Sequence, residues 1–554
     1  MMLITDKNAL ENYKTSKRLW QGIPSIEVTR KGRIFLTFYS GGVKEEIGNF
    51  VVLIKSDDGT SFSEPITVAY EEGHRCFDPC LWIDPLGRLW LTWSRYPDDG
   101  LFAAICDDPD ADEIVFGKEF LIGHNVMMNK PSVISTGEWS FPIAVWNDNM
   151  CMNFPGFGTA IAEKGAYAYV TADNGKTFKK LGYADVKNRS FDEHMILEMK
   201  DGSLRTFVRT NYGIGASDSY DGGRNWGGDF NTGYGGPSSR FYIRRLKSGR
   251  ILLINHYKFS GRNNLTALLS EDEGKTFPYS LLLDGRSGVS YPDAIEAEDG
   301  YIYITYDRER GAFLSKLEDV MSSAREILIA KITEEDILQG HLVKKHSYLS
   351  RIANKLTDYD GDTKNPFNEE KLFDDAEYAR YLNSKDCPEM AVAEIFDAYE
   401  LNCTNIHDVD AVKLDDLIEQ YAAKKDLSSL SAVISLIRAY SDKSCVEIQN
   451  LMEDIRQSIR NHLKANDSIR EIAHRFNMSA NYLQHVFRKQ TGITIADYRN
   501  AQRLMKAKLL LKGGNDKIID IATDCGYDNA SSFTEIFIRE VGMTPEEYRK
   551  IHQY

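Results

Sequence analysis

The fold of the C-terminal region follows from the stretch Ile469-Arg-Glu-Ile-Ala-His-Arg-Phe-Asn-Met-Ser479-Ala-Asn-Tyr-Leu-Gln-His-Val-Phe487. The same pattern occurs a second time, with different residues, as Ile518-Ile-Asp-Ile-Ala-Thr-Asp-Cys-Gly-Tyr-Asp-Asn-Ala-Ser-Ser-Phe533-Thr-Glu-Ile-Phe537. Each copy has an apolar helical segment, a tight turn and a second helix that ends in Phe. This pattern is typical of a helix-turn-helix, whose second helix can lie in a DNA major groove. We expect two such units, at about 468–492 and 517–542.

The region 445–554 resembles the AraC/XylS family of bacterial transcription regulators. The matching residues are mostly packing and turn residues, namely Ile472, Ala473, Ser479, Tyr482, Leu483, Phe487, Gly492, Tyr498, Arg503, Ala507, Leu510, Ile518, Ile521, Ala522, Gly526, Tyr527, Ser532, Phe533, Phe537, Gly542, Thr544, Pro545, Tyr548 and Arg549. The resemblance implies a DNA operator as partner. A breaker-free helix over Ile495–Lys512 would set the two units about one DNA turn apart.

Base reading is expected from the exposed face of each second helix. In the first unit this face offers Ala480, Asn481, Gln484, His485, Arg488 and Lys489, and in the second Asn529, Ser531, Thr534 and Glu535. Asn and Gln can pair bidentately with adenine, and Arg and Lys suit phosphates. Because Glu535 puts a carboxylate near phosphate, we expect the first unit to carry most of the base readout.

The charge of the chain is unevenly distributed. The 554 residues have a formal charge of −15, yet residues 451–554 carry 16 Lys and Arg against 13 Asp and Glu. A mildly basic module on an acidic body fits nucleic-acid binding. The chain begins without a basic segment followed by an apolar one, and no apolar run approaches a membrane span. We therefore expect a cytoplasmic protein with no membrane contact.

The N-terminal 345 residues repeat a strand signal six times. A Gly followed by alternating apolar positions recurs about every 50 residues. The six copies begin at Gly32, Gly87, Gly137, Gly202, Gly249 and Gly300. Such a period in strand-rich sequence predicts a six-bladed β-propeller over residues 1–345.

A second repeat follows the pattern Ser/Thr-x-Asp-x-Gly-x-Thr-Phe/Trp. Its copies are Ser56–Phe62, which is shortened, Thr171–Phe178, Ser219–Trp226 and Ser270–Phe277. The Asp would accept hydrogen bonds from nearby amides, and the Gly would take a positive φ. We interpret these turns as blade corners with no chemical role.

These boxes make the region similar to the sialidase-like Asp-box (BNR-repeat) propellers. A closer similarity, to a sialidase-like group in bacterial genomes, rests on Phe191–Met195, Val208–Ile214, Ser239–Arg245, Ser290–Asp293 and Tyr306–Arg310. The resemblance implies a carbohydrate ligand. True sialidases hold a sugar carboxylate with three arginines, but Gly22 stands where the first is expected, which argues against sialic acid.

Polar residues that interrupt the apolar alternation are candidates for a ligand pocket. For ligand binding these are Arg75, Lys130, Asp192, His194, Arg209, Arg240, Asp307 and Arg308. The sialidase resemblance implies that Glu193 and Tyr291 could form a Tyr–Glu nucleophile pair, with Asp78 or Asp293 as acid. The alternative is that each is a hydrogen-bonded residue at a strand end. Only Cys76 and Cys80 are closely spaced cysteines, so neither metal nor cofactor is expected.

Between the two ends we expect a linker at 346–366 and a helical connector at 367–444. Alternating Asp358, Asp360 and Asp362 are interpreted as a solvated turn, since the twelfth loop position lacks Glu. Leu414, Leu417 and Tyr421 fall at helical spacing, which suits either an internal core or the face of a homodimer.

Three functions remain open at this level. The first is an AraC-type regulator whose propeller senses a carbohydrate and controls a sugar-utilisation operon. The second is a glycoside hydrolase or lyase that carries a regulatory DNA-binding tail. In the third, the propeller is a scaffold for a protein partner. The expected fold is multidomain, with an N-terminal β-propeller, a helical connector and a C-terminal all-α double helix-turn-helix.

Overall fold

The computed structural model describes residues 3–42, 45–146, 157, 161, 163–310, 324–356, 451–465, 467–476, 478 and 480–553. The predicted connector at 367–444 and the Asp358–Asp362 turn lie outside these ranges. Within them the protein has a β-propeller and a helical domain.

Six antiparallel sheets form the six blades of the propeller, which confirms the predicted architecture. In blade one the short strand β1 extends the sheet beyond β5. The strands are β1 (Leu3–Ile4), β2 (Trp20–Val28), β3 (Ile34–Gly41), β4 (Phe50–Ser56) and β5 (Thr67–Ala69) in blade one; β6 (Arg75–Ile83), β7 (Leu89–Tyr96), β8 (Gly100–Cys106) and β9 (Phe120–His124) in blade two; β10 (Ser132–Val133), β11 (Trp139–Val145), β12 (Gly165–Thr171) and β13 (Lys179–Ala184) in blade three; β14 (Arg189–Glu198), β15 (Leu204–Thr210), β16 (Gly213–Ser219) and β17 (Asp229–Asn231) in blade four; β18 (Tyr242–Arg245), β19 (Ile251–His256), β20 (Leu265–Ser270) and β21 (Tyr279–Asp284) in blade five; and β22 (Val289–Glu296), β23 (Ile302–Arg308), β24 (Glu326–Ile332) and β25 (Tyr348–Lys355) in blade six.

The repeated glycines lie where the sequence predicts them, in the turn between the innermost strand of each blade and the next one. In blade one these strands are β2 and β3. All six have positive φ, from 78° at Gly300 to 101° at Gly137. The four Asp-box turns join the third and fourth strands, counted from the innermost, of blades one, three, four and five. In blade one these strands are β4 and β5. Because strands alternate in direction, both kinds of turn lie at the same end of a blade. We call this end the corner face of the propeller.

The sixth blade extends past the boundary at residue 345 that the sequence suggests. Its outer strand β25 pairs antiparallel with β24, with Leu328 opposite Ile352. A short helix, α2 (Glu334–Gln339), separates the two strands. Because β25 is only half-buried, its sequence lacks the alternation that identifies inner strands.

The remaining helices are short except one. Near the N-terminus lie α1 (Lys7–Leu10) and two 3-10 turns, Glu11–Tyr13 and Thr15–Lys17. The C-terminal domain contains α3 (451–461), α4 (Ile469–Arg475), α5 (Ala480–Thr491), α6 (Ile495–Gly513), α7 (Ile518–Asp524), α8 (Ala530–Val541) and α9 (Pro545–His552).

The C-terminal helices form the two predicted helix-turn-helix units. Capping boxes begin α4 at Ser468 with Glu471 and α9 at Thr544 with Glu547. One core contains Ile472, Ala473, Leu483 and Phe487, and the other contains Ile521, Ala522, Phe533 and Phe537. Helix α6 connects the units without a break.

Candidate functional sites

Bulges near the start of inner strands build one end of the propeller. The register shifts between Gly22 and Ser25 in β2, Phe77 and Cys80 in β6, Asp192 and Met195 in β14, and Ser290 and Asp293 in β22. Each bulge contains a non-glycine residue at positive φ: Ile23 at 56°, Asp78 at 48°, Glu193 at 44° and Tyr291 at 56°. Such strained backbone is characteristic of functional sites. This end, opposite the corner face, is the pocket face.

A hydrogen-bonded trio lies at the centre of this face. The hydroxyl of Tyr291 donates to Glu193 Oε1 at 3.0 Å. Arg209 Nη1 donates to the same carboxylate oxygen at 2.6 Å and to the Tyr291 hydroxyl at 3.1 Å. Glu193 Oε2 is buried and has no hydrogen-bond partner among the described residues. The structure therefore brings together the tyrosine and glutamate that the sequence suggests as a pair.

Two further arginines approach the same tyrosine. The guanidinium carbon of Arg310 lies 4.3 Å from the centre of the Tyr291 ring, and that of Arg262 lies 5.5 Å from it. Burial lowers the pKa of Arg262, and the charges of Arg310 and Arg209 lower it further, although Tyr291 acts in the opposite direction. The charged form is thus disfavoured at Arg262 alone, since Glu193 and Tyr291 raise the pKa of Arg209 against the effect of burial, and Asp307 and Tyr291 do the same for Arg310. Arginines gathered in this way can bind an anion through charge-assisted hydrogen bonds.

Arg310 also fills the space beside Gly22. A Cβ added to Gly22 would lie 2.7 Å from Arg310 Cδ and 3.0 Å from Asp307 Oδ2. An arginine side chain from position 22 would therefore need the volume that Arg310 occupies. Arg310, which follows β23, thus places a guanidinium-bearing side chain beside position 22.

A second group lies at the start of blade two. Arg75 donates to the Tyr39 hydroxyl at 2.9 Å and to Glu45 Oε2 at 2.7 Å. Asp78 is 3% exposed. Burial, opposed by Arg75 and reinforced by the charges of Glu45 and Glu193, raises the pKa of Asp78 to about 7. This carboxyl can thus hold a proton at neutral pH and donate it.

Aromatic side chains stand beside the charged groups. The rings of Phe77 and Phe157 are 5.9 Å apart, and those of Trp146 and Phe191 are 5.2 Å apart. The Arg209 guanidinium lies 5.3 Å from the Phe191 ring. Apolar walls with a few convergent polar groups are typical of small-molecule sites.

Other candidates belong to a separate buried network nearer the propeller axis. Lys130 Nζ donates to Ile26 O at 2.6 Å and Leu81 O at 2.7 Å, and pairs with Glu27 at 2.9 Å. Asp293 accepts from Ser25, Lys130 and Arg240, and Arg240 also donates to Asn129 Oδ1 at 2.8 Å. These groups tie blades together, and their role in binding a ligand stays a prediction.

The remaining candidates have structural partners as well. Asp192 pairs with Arg189 at 2.7 Å, and burial raises the pKa of Asp192 to about 6. His194 Nε2 is 2.9 Å from Tyr167 O, and burial lowers its pKa to about 4. Asp307 accepts from the Ile23 amide at 2.8 Å, and Arg308 pairs with Glu326 at 3.0 Å.

Sequence reasoning missed five residues of the pocket face: Tyr39, Glu45, Ser238, Arg262 and Arg310. Ser238 accepts from Arg209 at 3.4 Å and has φ of 48°. Arg310 is the last residue of the motif Tyr306–Arg310 on which the similarity to sialidase-like proteins rests. The sequence therefore did contain a signal that could have identified Arg310 as a pocket residue. Nothing in their spacing relates Tyr39 or Arg262 to the others, because each comes from a different blade.

The helices α5 and α8 present most of the predicted DNA-reading side chains to solvent. Gln484, His485, Arg488 and Lys489 are exposed on α5, and Ser531 and Glu535 are exposed on α8. Asn529 is exposed as well but caps α8, accepting from the Ser532 amide at 2.8 Å, and the half-buried Thr534 donates to Ala530 O at 2.8 Å. Ala480 packs against the core of the first unit. The side chain of Asn481 lies outside the described part.

Comparison with known proteins identifies both parts of the chain. A model described as a helix-turn-helix domain matches residues 472–551, and one described as a BNR repeat-like domain matches residues 109–304. The activator RhaR of Yersinia pseudotuberculosis is 36% identical to this chain over 96 residues. Residues 472–551 form an AraC-type helix-turn-helix domain. The protein thus joins an AraC-type helix-turn-helix domain to a propeller with a BNR repeat-like domain.

The similarity to these curated relatives covers a minor part of the chain. The RhaR match covers 17% of this chain and 33% of that protein. YijO of Escherichia coli, an uncharacterised HTH-type regulator, is 31% identical over 132 residues, which cover 24% of this chain and 47% of YijO. The chain therefore spans less than half the length of these relatives.

Among solved structures, the leech intramolecular trans-sialidase is 14% identical, with a TM-score of 0.45, covering 59% of this chain and 70% of that one. In the described part of the chain, helices long and apolar enough to cross a membrane are absent.

Proposed function

We propose that this protein is a cytoplasmic transcription regulator whose propeller binds an anionic sugar and thereby alters operator binding by the AraC-type domain. The target would be a carbohydrate-utilisation operon. A uronic acid or another carboxylated monosaccharide fits best, because carboxylates accept charge-assisted hydrogen bonds from arginine forks. Coupling requires that the sugar bind the two states of the protein with different affinity.

The observation that carries this proposal is the convergence of Arg209, Arg262 and Arg310 on Tyr291. Among the described residues, Glu193 is the carboxylate that hydrogen-bonds both the tyrosine and Arg209. Asp307 approaches Arg310 at 3.7 Å but accepts hydrogen bonds from Ile23 and Ser290. An anionic ligand would offset the effects of burial and of the positive charges of Arg310 and Arg209, which lower the pKa of Arg262.

Calorimetric titration with uronic acids and their neutral parent sugars tests the proposal. We expect binding of one acidic sugar and at least tenfold weaker binding of its neutral parent, since a charge-assisted hydrogen bond contributes roughly 1.5–3 kcal/mol. Arg310→Met should weaken that binding about tenfold or more. The matched control is Arg250→Met, because Arg250 pairs with Glu271 and Glu334 at the corner face.

Two results would count against the proposal. One is equal affinity for acidic and neutral sugars, and the other is equal loss in both arginine variants. Failure of every sugar across a broad panel would favour the scaffold function, with a protein partner on the propeller.

A second candidate function, glycoside hydrolysis or lysis, is favoured by the pairing of Tyr291 with Glu193 at 3.0 Å and by the proton held on Asp78 near pH 7. Release of product from a glycan panel, abolished by Tyr291→Phe and by Glu193→Gln, would support it. If Tyr291→Phe binds the acidic sugar and the wild type releases no product, the propeller is a sensor.

A further inference from the structure

The Asp-box corners differ at one turn position, the residue that follows the first Ser or Thr. In blades one and five this residue is Asp57 or Glu271, each exposed and paired with an arginine of its own blade, Arg33 or Arg250. In blades three and four it is Ala172 or Tyr220. These two corners are the ones that the AraC-type domain covers.

The corner of blade four enters the core of the first helix-turn-helix unit. Tyr220 is 8% exposed and packs with Met452, Ile455 and Ile459. Its ring centre lies 6.0 Å from that of Tyr498 in α6, in an edge-to-face arrangement. Arg456 lies over the Tyr220 ring at 4.5 Å and donates to its hydroxyl. A propeller residue thus completes a core of the helical domain.

The corner of blade three and the neighbouring hairpin receive the second unit. His552 Nε2 lies 2.9 Å from Ala172 O, and the Tyr548 hydroxyl donates to Thr136 O at 2.5 Å. Lys508 of α6 pairs with Glu138 at 2.5 Å, and both side chains are buried. Removing one partner of such a pair leaves a buried charge uncompensated, so the contact is specific.

The contact between the propeller corners and the AraC-type domain also holds the C-terminal ends of α5 and α8, the second helices of the two units. A Cβ on Gly492, just after α5, would lie 2.6 Å from Trp226 O. At the C-terminal end of α8, Arg224 and Lys179 donate to Glu540 O at 3.0 and 3.2 Å. Their positive charges also interact favourably with the negative end of the helix dipole. The exposed reading residues Gln484 and Glu535 lie away from these ends.

We infer that the corners of blades three and four are a docking surface whose partner is the DNA-binding domain of the same chain, and that docking fixes the two helix-turn-helix units in the arrangement that binds DNA. The corner of blade four contacts both units and the corner of blade three holds the second, so the propeller sets their mutual orientation. Fixing two binding elements before they meet DNA removes an ordering cost from binding. Undocking should therefore weaken specific DNA binding, whether or not the pocket holds a sugar.

The docked interface is not fully filled. A cavity of about 440 Å³ remains between the propeller and the AraC-type domain, lined in part by Leu181, Leu204, Met505 and Met543. An incompletely packed contact forfeits part of its dispersion energy, so undocking is less costly than for a close-packed core. A contact of this kind can be released by a change elsewhere on the propeller, such as ligand binding at the pocket face.

The first test compares Tyr220→Ser with Glu271→Ser, the same turn position in blade five. The probe is a duplex selected from a random-sequence library by the full-length wild-type protein. We expect Tyr220→Ser to raise its Kd about tenfold, as for loss of a buried aromatic anchor at an interface, and Glu271→Ser to leave it within about twofold. Hydrogen exchange should show less protection of α6 in Tyr220→Ser while the amides of Arg224 and Asn225 in the corner turn stay protected.

A charge swap separates docking from misfolding. Lys508→Glu alone should weaken binding of the duplex, and Lys508→Glu combined with Glu138→Lys should restore most of it, because the pair is rebuilt with opposite polarity. Tighter DNA binding in Tyr220→Ser would show that docking inhibits, and unchanged binding would show that it has no part in DNA recognition. Either result overturns the inference, as does failure of the swap to restore binding.

Discussion

The two ends of the propeller are built from the same strands in opposite ways. At the corner face, each turn satisfies itself: Asp173 accepts from the amides of Lys176 and Thr177 at 3.0 and 2.9 Å and from the Thr171 hydroxyl at 2.8 Å. At the pocket face, bulged strands hold non-glycine residues at positive φ, and Glu193 Oε2 is buried without a hydrogen-bond partner among the described residues.

This difference separates a structural surface from a ligand surface. A self-satisfied turn needs nothing else, so its outer position is available to carry Tyr220 or Ala172 against another domain. Strained backbone and the burial of charged groups cost stability that the rest of the propeller must offset. Such an arrangement is retained where it does chemistry or binds a ligand.

The largest effect should come from Asp78 at the pocket face. Burial raises its pKa from 3.8 to about 7, so the folded protein binds a proton that the unfolded chain releases above about pH 4. Stability from this group is present below the unfolded pKa and is lost as pH rises toward 7. Asp78→Asn should therefore be more stable than the wild type by about 4 kcal/mol at pH 7.5 and by only about 1 kcal/mol at pH 4.5.

Thermal melting of both proteins across this pH range measures the effect. Asp192→Asn is a matched second variant, since burial raises the pKa of Asp192 to about 6, although removing its charge also breaks the ion pair with Arg189. A pH-independent difference between Asp78→Asn and the wild type would mean that Asp78 is ionised in the fold.

The next effect belongs to the corner face. Asp221 accepts from the amides of Arg224 and Asn225 at 3.1 and 2.9 Å and from the Asn225 side chain at 2.7 Å. Asp221→Ala leaves these donors without their acceptor and should lower the free energy of unfolding of the propeller by about 2 kcal/mol. Urea unfolding followed by tryptophan fluorescence measures it. A loss below about 0.5 kcal/mol would contradict the self-satisfied turn.

The fold was more predictable from sequence than the pocket, and the reason is range. Gly137 and Asp221 act within their own turns, so a local pattern reveals them. Arg310 meets Tyr291 through the pairing of β22 with β23, and Arg262 reaches it from the neighbouring blade five, so no pattern within a single turn encodes that meeting. Tyr220 did leave a local signal, an aromatic where the turns of blades one and five carry Asp57 and Glu271, but its partner Tyr498 lies far along the chain.

A third prediction concerns the AraC-type domain, whose reading residues point away from the corner face. Gln484→Ala should weaken binding of the selected duplex by about 1–2 kcal/mol, the usual value of a base contact, and leave sugar affinity unchanged. Gel-shift titration and calorimetry on one preparation measure the two affinities. Parallel loss of both would mean that the pocket and reading faces are not separable.

The smallest effect on stability should follow from Gly22→Ala at the pocket face. The new methyl group would meet Arg310 Cδ at 2.7 Å, so the arginine side chain must shift. Because the φ of Gly22 is not positive, the substitution adds no backbone strain. The free energy of unfolding should therefore fall by less than about 1 kcal/mol. Affinity for the acidic sugar should nevertheless fall several-fold, because Arg310 leaves its place over Tyr291. Gly261→Ala is the matched control, since its Cβ meets nothing within 4 Å. A stability loss without a loss of affinity would mean that Arg310 packs against the pocket without contributing its charge to ligand binding.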